Sequence, residues 1–454
     1  MSSAKSPNLV KTLSDYYINW ARLSIDYFSI YLEAFKNTFC TTQENSTYKE
    51  FYDNLVSKLD IEFTQQLKTD HFTKLLSSYI DSFIDVRECL RSTGIPIESY
   101  EILSYETKKN FLNMLVSSVG DSQYVTQSEI VYQRGKIRLL HYLNENNGIP
   151  VILVYAQINH FDLMDLNYEK SVVRRLGSLG LDVYVLDWGY RGREDDHLSL
   201  QDYINYLNEV ILSFKEKTGL DKVPVIGYCW GGLVSLTYAA LFKQNVQSLV
   251  LLATPVDFSK DDGLLATWSK AIDADKIINE FGHMDGNLLD YAFMMRNPHR
   301  NFIDKYFKTF TNFADRKFLE NFFELERWLH NTPPIPGNIY RQIINDGYKK
   351  NSLIENKLKV GEKTVSLREI DIPLFVAVAE KDDLVSPAST LAVNQYISST
   401  DKSQICISGG HVGLCISKVA HEKLWPEIAK WIKDKNGRYS VPTLNDEEKT
   451  VITV

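Results

Sequence analysis

The sequence predicts an α/β protein with a mostly parallel central sheet, a helical insertion late in the chain and an all-helical N-terminal region. Three observations carry this expectation. Short apolar runs at 150–155 (PVILVY), 182–187 (DVYVLD), 223–226 and 247–253 alternate with helix-periodic stretches at 200–214 and 233–242, the order expected of strands that pair in parallel through helical crossovers. After Thr254 and Pro255 the alternation stops, and aromatic-rich helical patterns such as 306–323 and 324–329 replace it until a strand pattern resumes at 373–379. Before residue 120 no strand pattern occurs, and no glycine precedes Gly94.

Taken in order, the N-terminal region, 1–120, carries three apolar stripes at helical spacing: Leu13, Tyr16, Trp20, Leu23, Tyr27, Ile30 and Ala34; then Phe51, Leu55, Leu59 and Phe63; then Phe72, Leu75, Tyr79, Phe83 and Val86. Such faces pack on the α/β unit that follows, on a partner helix or on a lipid-like surface. Residues 129–142 alternate as a hairpin and open the α/β unit, 121–435. The insertion, 258–365, reads as a cap. Strands at 373–379 and 403–408 and a helix at 419–432 close the unit, and 436–454 is a polar tail.

Composition sets the outer bounds. Apolar residues at 44% and charged residues at 24% are those of a globular chain able to bury a large core. The net charge of −8 is spread along the sequence without a basic stripe, which argues against a nucleic-acid partner. No leader pattern and no uncharged apolar run of membrane-spanning length occurs, so the expectation is a cytoplasmic protein without a transmembrane segment. The five cysteines, Cys40, Cys89, Cys229, Cys406 and Cys415, are irregularly spaced and form no CxxC pair. Free thiols are expected, rather than a disulfide framework or a metal site.

One of those thiols sits where reactivity would be useful. The strand at 223–226 runs into Gly227-Tyr228-Cys229-Trp230-Gly231-Gly232 and then a helix, the context of a nucleophile elbow with Cys in place of Ser and thus of an α/β-hydrolase fold. The glycines let strand and helix approach closely, and the helix start favours a thiolate and offers a backbone N–H to an oxyanion. In this fold an acid follows a late strand and a His follows the last strand. Asp382 follows the strand at 373–379, and His411 lies in Gly409-Gly410-His411-Val412-Gly413 after the last strand. Cys229 is therefore the expected nucleophile, His411 the base and Asp382 the residue that orients it. Asp383 is the alternative acid, and Asp382 is preferred because it lies directly at the strand turn. The expected oxyanion donors are the N–H groups of Trp230 and of Ile158, in the loop after the strand at 151–155. His141, His160, His283, His299 and His330 are scattered and receive no role, and Asp187 and Asp257 read as turn or helix caps. The glycine run lacks a phosphate loop's Lys-Ser/Thr ending, and no metal or redox cofactor is expected.

Over 125–435 the chain resembles the polyhydroxyalkanoate synthases, specifically the class III catalytic subunit. The resemblance rests on Asp187-Trp188-Gly189-Tyr190, Asp202-Tyr203-Ile204-Asn205, the Cys229 elbow followed by Tyr238-Ala239-Ala240, Thr254-Pro255-Val256-Asp257-Phe258, Glu324-Leu325-Glu326-Arg327-Trp328 and the His411 motif. It implies an acyltransferase whose Cys229 carries the growing chain, activated by Asp382 and His411. The implied substrate is an (R)-3-hydroxyacyl-coenzyme A, with coenzyme A as a released product. A growing polyester and its granule surface, a homodimer and a helical partner subunit are implied as well. The chain departs from the family at Asp383, where a His usually follows the acid, and in its N-terminal helices, which either replace or recruit the partner subunit.

Overall fold

In the computed structural model the described residues are 126–144, 148–296, 305–312 and 314–436, with 67–92, Asn301 and a few positions between 18 and 65. The first two apolar stripes and the polar tail lie almost wholly outside them. Eight strands form one sheet: β1 Ser128–Arg134, β2 Ile137–Tyr142, β3 Ile149–Val154, β4 Leu181–Asp187, β5 Val223–Tyr228, β6 Val246–Leu252, β7 Leu374–Ala379 and β8 Lys402–Ile407, in spatial order β1-β2-β4-β3-β5-β6-β7-β8. The β1–β2 and β2–β4 pairs are antiparallel, and every other neighbouring pair is parallel.

Burial explains the composition of the strands. Every residue of β3, β5 and β7 is buried, as expected of parallel strands covered by helices on both faces. At the edge, β8 alternates exposed and partly buried positions and begins at Lys402, a charge that discourages pairing with another chain.

The helices used below are α1 Asp70–Ser92, α2 Val172–Ser178, α3 Leu200–Thr218, α4 Trp230–Phe242, α5 Leu264–Ala271, α6 Ala274–Phe281, α7 Gly286–Met295, α8 Lys305–Thr311, α9 Arg316–Leu329 and α10 Trp425–Asn436. Sequence and geometry agree at their ends: Ser199 and Asp202 form a capping box at the start of α3, and Gly219, at φ 70°, ends it in the left-handed conformation. The helix expected over 306–323 is divided into α8 and the start of α9. Asp315 makes the division, its side chain accepting from the Phe318 N–H to cap α9, so a local hydrogen bond overrides a continuous aromatic pattern.

Helices α5 to α9 occupy the chain between β6 and β7 and stand over the end of the sheet that carries the elbow. The N-terminal helix α1 docks on this cap. Its inward row is Phe72, Leu76, Ile80 and Ile84, spaced four apart and offset from the expected Leu75 and Tyr79, because the partner surface selects which side of the cylinder is buried.

Candidate active site

The turn between β5 and α4 holds Cys229 at φ 53°, ψ −123°, a strained conformation for a side chain with a Cβ. Neighbours over-determine it. The Cys229 N–H donates to the Leu252 carbonyl at 2.8 Å, and its carbonyl accepts from the N–H groups of Gly232 and Leu233. A Cβ on Gly231 would collide with the carbonyl oxygens of Val154 and Tyr155, and one on Gly227 with the backbone of Gly232. Only glycine at both points lets helix, strand and turn meet, which leaves the half-buried Cys229 thiol on top of the bend.

Asp382 lies in the turn after β7. Its Oδ1 accepts the N–H groups of Leu384 and Val385, each at 2.9 Å, and its Oδ2 accepts from His411 Nδ1 at 2.8 Å. Two backbone donors fix the carboxylate, so it fixes the imidazole in turn. The Tyr228 hydroxyl donates to the His411 carbonyl at 3.2 Å, tying the β8–α10 loop to the residue before the nucleophile. Burial by itself pulls the His411 imidazole down. The carboxylate of Asp382, the charge of Cys229 and hydrogen bonds to both outweigh it and hold His411 well above its usual range. With Nδ1 taken by Asp382, Nε2 is the nitrogen left for the sulfur. The three residues thus form one contact chain, from carboxylate through imidazole to thiol.

Cys229 and His411 share a cavity of about 200 Å³ with Tyr155, Trp230, Phe258, Leu265 and Tyr348. Ile158 lies on the same wall, in the loop after β3 where Asn159 takes φ 67°. Trp230 is the first residue of α4, and the first N–H groups of a helix have no intrahelical acceptor. The chemistry open to this arrangement is nucleophilic acyl transfer in a mostly apolar space.

Residues 148–414 match the family model of the alpha/beta hydrolase fold. The chain is 36% identical over 335 residues to the poly(3-hydroxyalkanoate) polymerase subunit PhaC of Haloarcula marismortui, covering 71% of this chain and 70% of that one. It is 32% identical to the PhaC subunit of Allochromatium vinosum, covering 74% of this chain and 96% of that one. The chain belongs to the PhaC polymerase family. The PhaC subunit of Synechocystis sp., 35% identical, covers 68% of this chain and 85% of its own length.

In this PhaC family member Asp383 faces away from the imidazole that Asp382 holds: its Oδ1 pairs with Arg296 Nη1 at 3.2 Å. Asp187 and Asp257 are structural, as their strand-end positions suggested. Asp187 accepts the Gly189 N–H and pairs with Arg138, and Asp257 caps the turn at Ser259. Tyr228, Arg296 and Tyr348 join the site without having been singled out from sequence. Tyr228 could have been flagged by its place beside the nucleophile. Arg296 and Tyr348 reach the cavity from the cap, and no local pattern distinguishes them from neighbouring residues.

Proposed function

We propose that this chain polymerises (R)-3-hydroxyacyl groups, delivered as coenzyme A thioesters, through an acyl thioester on Cys229. The observation that carries the reading is the contact chain from Asp382 through His411 to Cys229 at the wall of an apolar cavity. The Cys229 thiolate adds to the thioester carbonyl, the bond from that carbon to the coenzyme A sulfur breaks, and His411 returns its proton to the departing sulfur. The hydroxyl of a second hydroxyacyl unit then gives its proton to His411 while its oxygen forms an ester with the same carbonyl, releasing Cys229. The steps balance with coenzyme A as a product and no further cofactor. The N–H groups of Trp230 and Ile158 are the assigned oxyanion donors.

Acylation itself changes the base. The Cys229 charge is one of the influences holding the imidazole protonated, and esterifying the sulfur removes it. His411 therefore becomes easier to deprotonate at the point where a base is needed. A cavity near 200 Å³ lies below the roughly 300–1,000 Å³ of pockets that enclose whole drug-sized ligands. It suits the acyl end of the substrate, with the nucleotide end outside.

The same reading carries with it a cytoplasmic location at the surface of the granule being extended, a homodimer, and a helical partner subunit that the N-terminal helices either recruit or replace. Among the described residues no helix is long and apolar enough to cross a membrane, so granule contact would be made at a surface.

The test is incubation of the purified protein with 3-hydroxybutyryl-coenzyme A, following thiol release and polymer mass together, with and without a class III partner subunit. Thiol release matched by polyester supports the proposal. Release matched by free acid would make the protein a thioesterase. Granule attachment without release, unchanged in Cys229→Ala, would make it a coat protein.

A further inference from the structure

Helix α1 lies outside the segment matched by the family model, yet it packs directly behind two helices that wall the catalytic cavity. Leu67, just before α1, and Phe72 are buried with Leu264 and Trp268 of α5 in a cluster separate from the main core. The Phe72 and Trp268 rings are 6.4 Å apart, and Trp268 Nε1 donates to the Leu67 carbonyl at 3.4 Å. Ala292 and Met295 of α7 pack on the same cluster. The adjacent residues Leu265 of α5, and Phe293 and Met294 of α7, line the cavity. Helical periodicity makes the arrangement intelligible: residues 264 and 268, or 292 and 295, share one face, 293 and 294 point round to another, and Leu265 sits at the border, packing on the cluster while lining the cavity. Two short cap helices thus present one face to the substrate space and another to α1. A second attachment, Lys276 Nζ of α6 to Asp81 Oδ1 of α1 at 2.7 Å, and the packing of Ile80 and Ile84 on the main core cluster, to which Ile277 and Ile278 of α6 belong, hold α1 against the cap along its length.

Helices of 8 and 10 residues, the lengths of α5 and α7, do not hold their place by propensity and depend on packing. We propose that α1 is an intramolecular brace that sets the position of α5 and α7, making Phe72 and Trp268 positioning residues for the acyl group held at Cys229. The role in catalysis rests on the polymerase reading, whereas the mechanical role does not. Loosening α1 exposes Leu264 and Trp268, and both cap helices must repack against the cavity to cover them.

The experiment uses the full chain with Phe72→Ala, with the stronger Phe72→Asp, and with Phe72→Leu as the conservative variant. Hydrogen exchange is read without substrate over α1, α5, α7 and β5, and KM and kcat are read with 3-hydroxybutyryl-coenzyme A. The expected result is exchange at least tenfold faster in α5 and α7 with β5 unchanged, a KM raised several-fold with kcat within twofold, and recovery of both in Phe72→Leu. Faster exchange confined to α1, or α1, α5 and α7 all still protected in Phe72→Asp, would overturn the brace. Because exchange needs no turnover, a protein that makes free acid instead of polymer would leave that result intact, so failure of the brace and failure of the polymerase reading are distinguishable.

Discussion

Arg296, at the end of α7, pairs with Asp383, the residue after the one that holds His411. The contact ties the cap wall to the acid turn at the position where the resemblance leads one to expect a histidine.

Asp383→Asn should therefore loosen the cap more than it damages the chemistry. The Asp383 side chain is 44% exposed, so the pair is worth no more than about 1 kcal/mol, a factor of roughly five. The expected outcome is a KM for the thioester raised by up to that factor with kcat nearly unchanged, in steady-state assays of thiol release. A fall in kcat of a hundredfold would mean that Asp383 serves the reaction directly.

Asp382→Asn should behave differently, because it leaves the shape of the site and removes the charge that orients the imidazolium. The expected loss in kcat is on the order of 10³–10⁴. Thermal stability should change little by comparison, so activity and melting measured on the same sample separate the two effects.

Blocking the thiol should change the titration of His411. Alkylating Cys229 with iodoacetamide leaves a thioether that cannot ionise and keeps Asp382 in place. The ring-proton NMR signal of His411 should then titrate at lower pH than in the free enzyme. An unchanged titration would show that the sulfur does not act on the imidazole.

Asp261 supplies a pH test of stability. It is buried, with Oδ1 accepting the Gly263 N–H at 3.1 Å. Burial pushes its carboxyl up to about 6; the Gly263 N–H and Lys270 oppose this, and the carboxylates of Asp262 and Asp382 add to it. A raised carboxyl means the folded state holds the proton more tightly than the unfolded chain. The stability this confers is present below the unfolded value of 3.8 and is lost as pH rises through about 6. Asp261→Asn should consequently stabilise the protein by about 2–3 kcal/mol at pH 7.5 and by little at pH 4. Urea midpoints at the two pH values check it, and an equal gain at both would refute the electrostatic origin.

Sequence reading reached furthest where chemistry is local. The β5–Cys229–α4 elbow is legible because its constraint lies within six consecutive residues, and the strands β3, β5 and β7 are legible because burial on both faces demands unbroken apolar runs. The division between α8 and α9 was not, since it turns on whether the Asp315 side chain bonds its own backbone or leaves the aromatic stripe continuous. Nor was the buried row of α1, whose apolar residues mark more than one side of the helix and leave the choice to the surface it meets.

By itself, then, the order of residues determined the α/β alternation and the strained turn under Cys229, which depend on neighbours a few positions apart, and the succession of acid and base along the chain, which follows the order of the strands. Only the tertiary structure decided that Asp382 grips the imidazole while Asp383 grips Arg296, and that α1 stands behind the cavity wall. Those outcomes depend on which distant segments reach the same point in space, a matter of packing that no run of adjacent residues encodes.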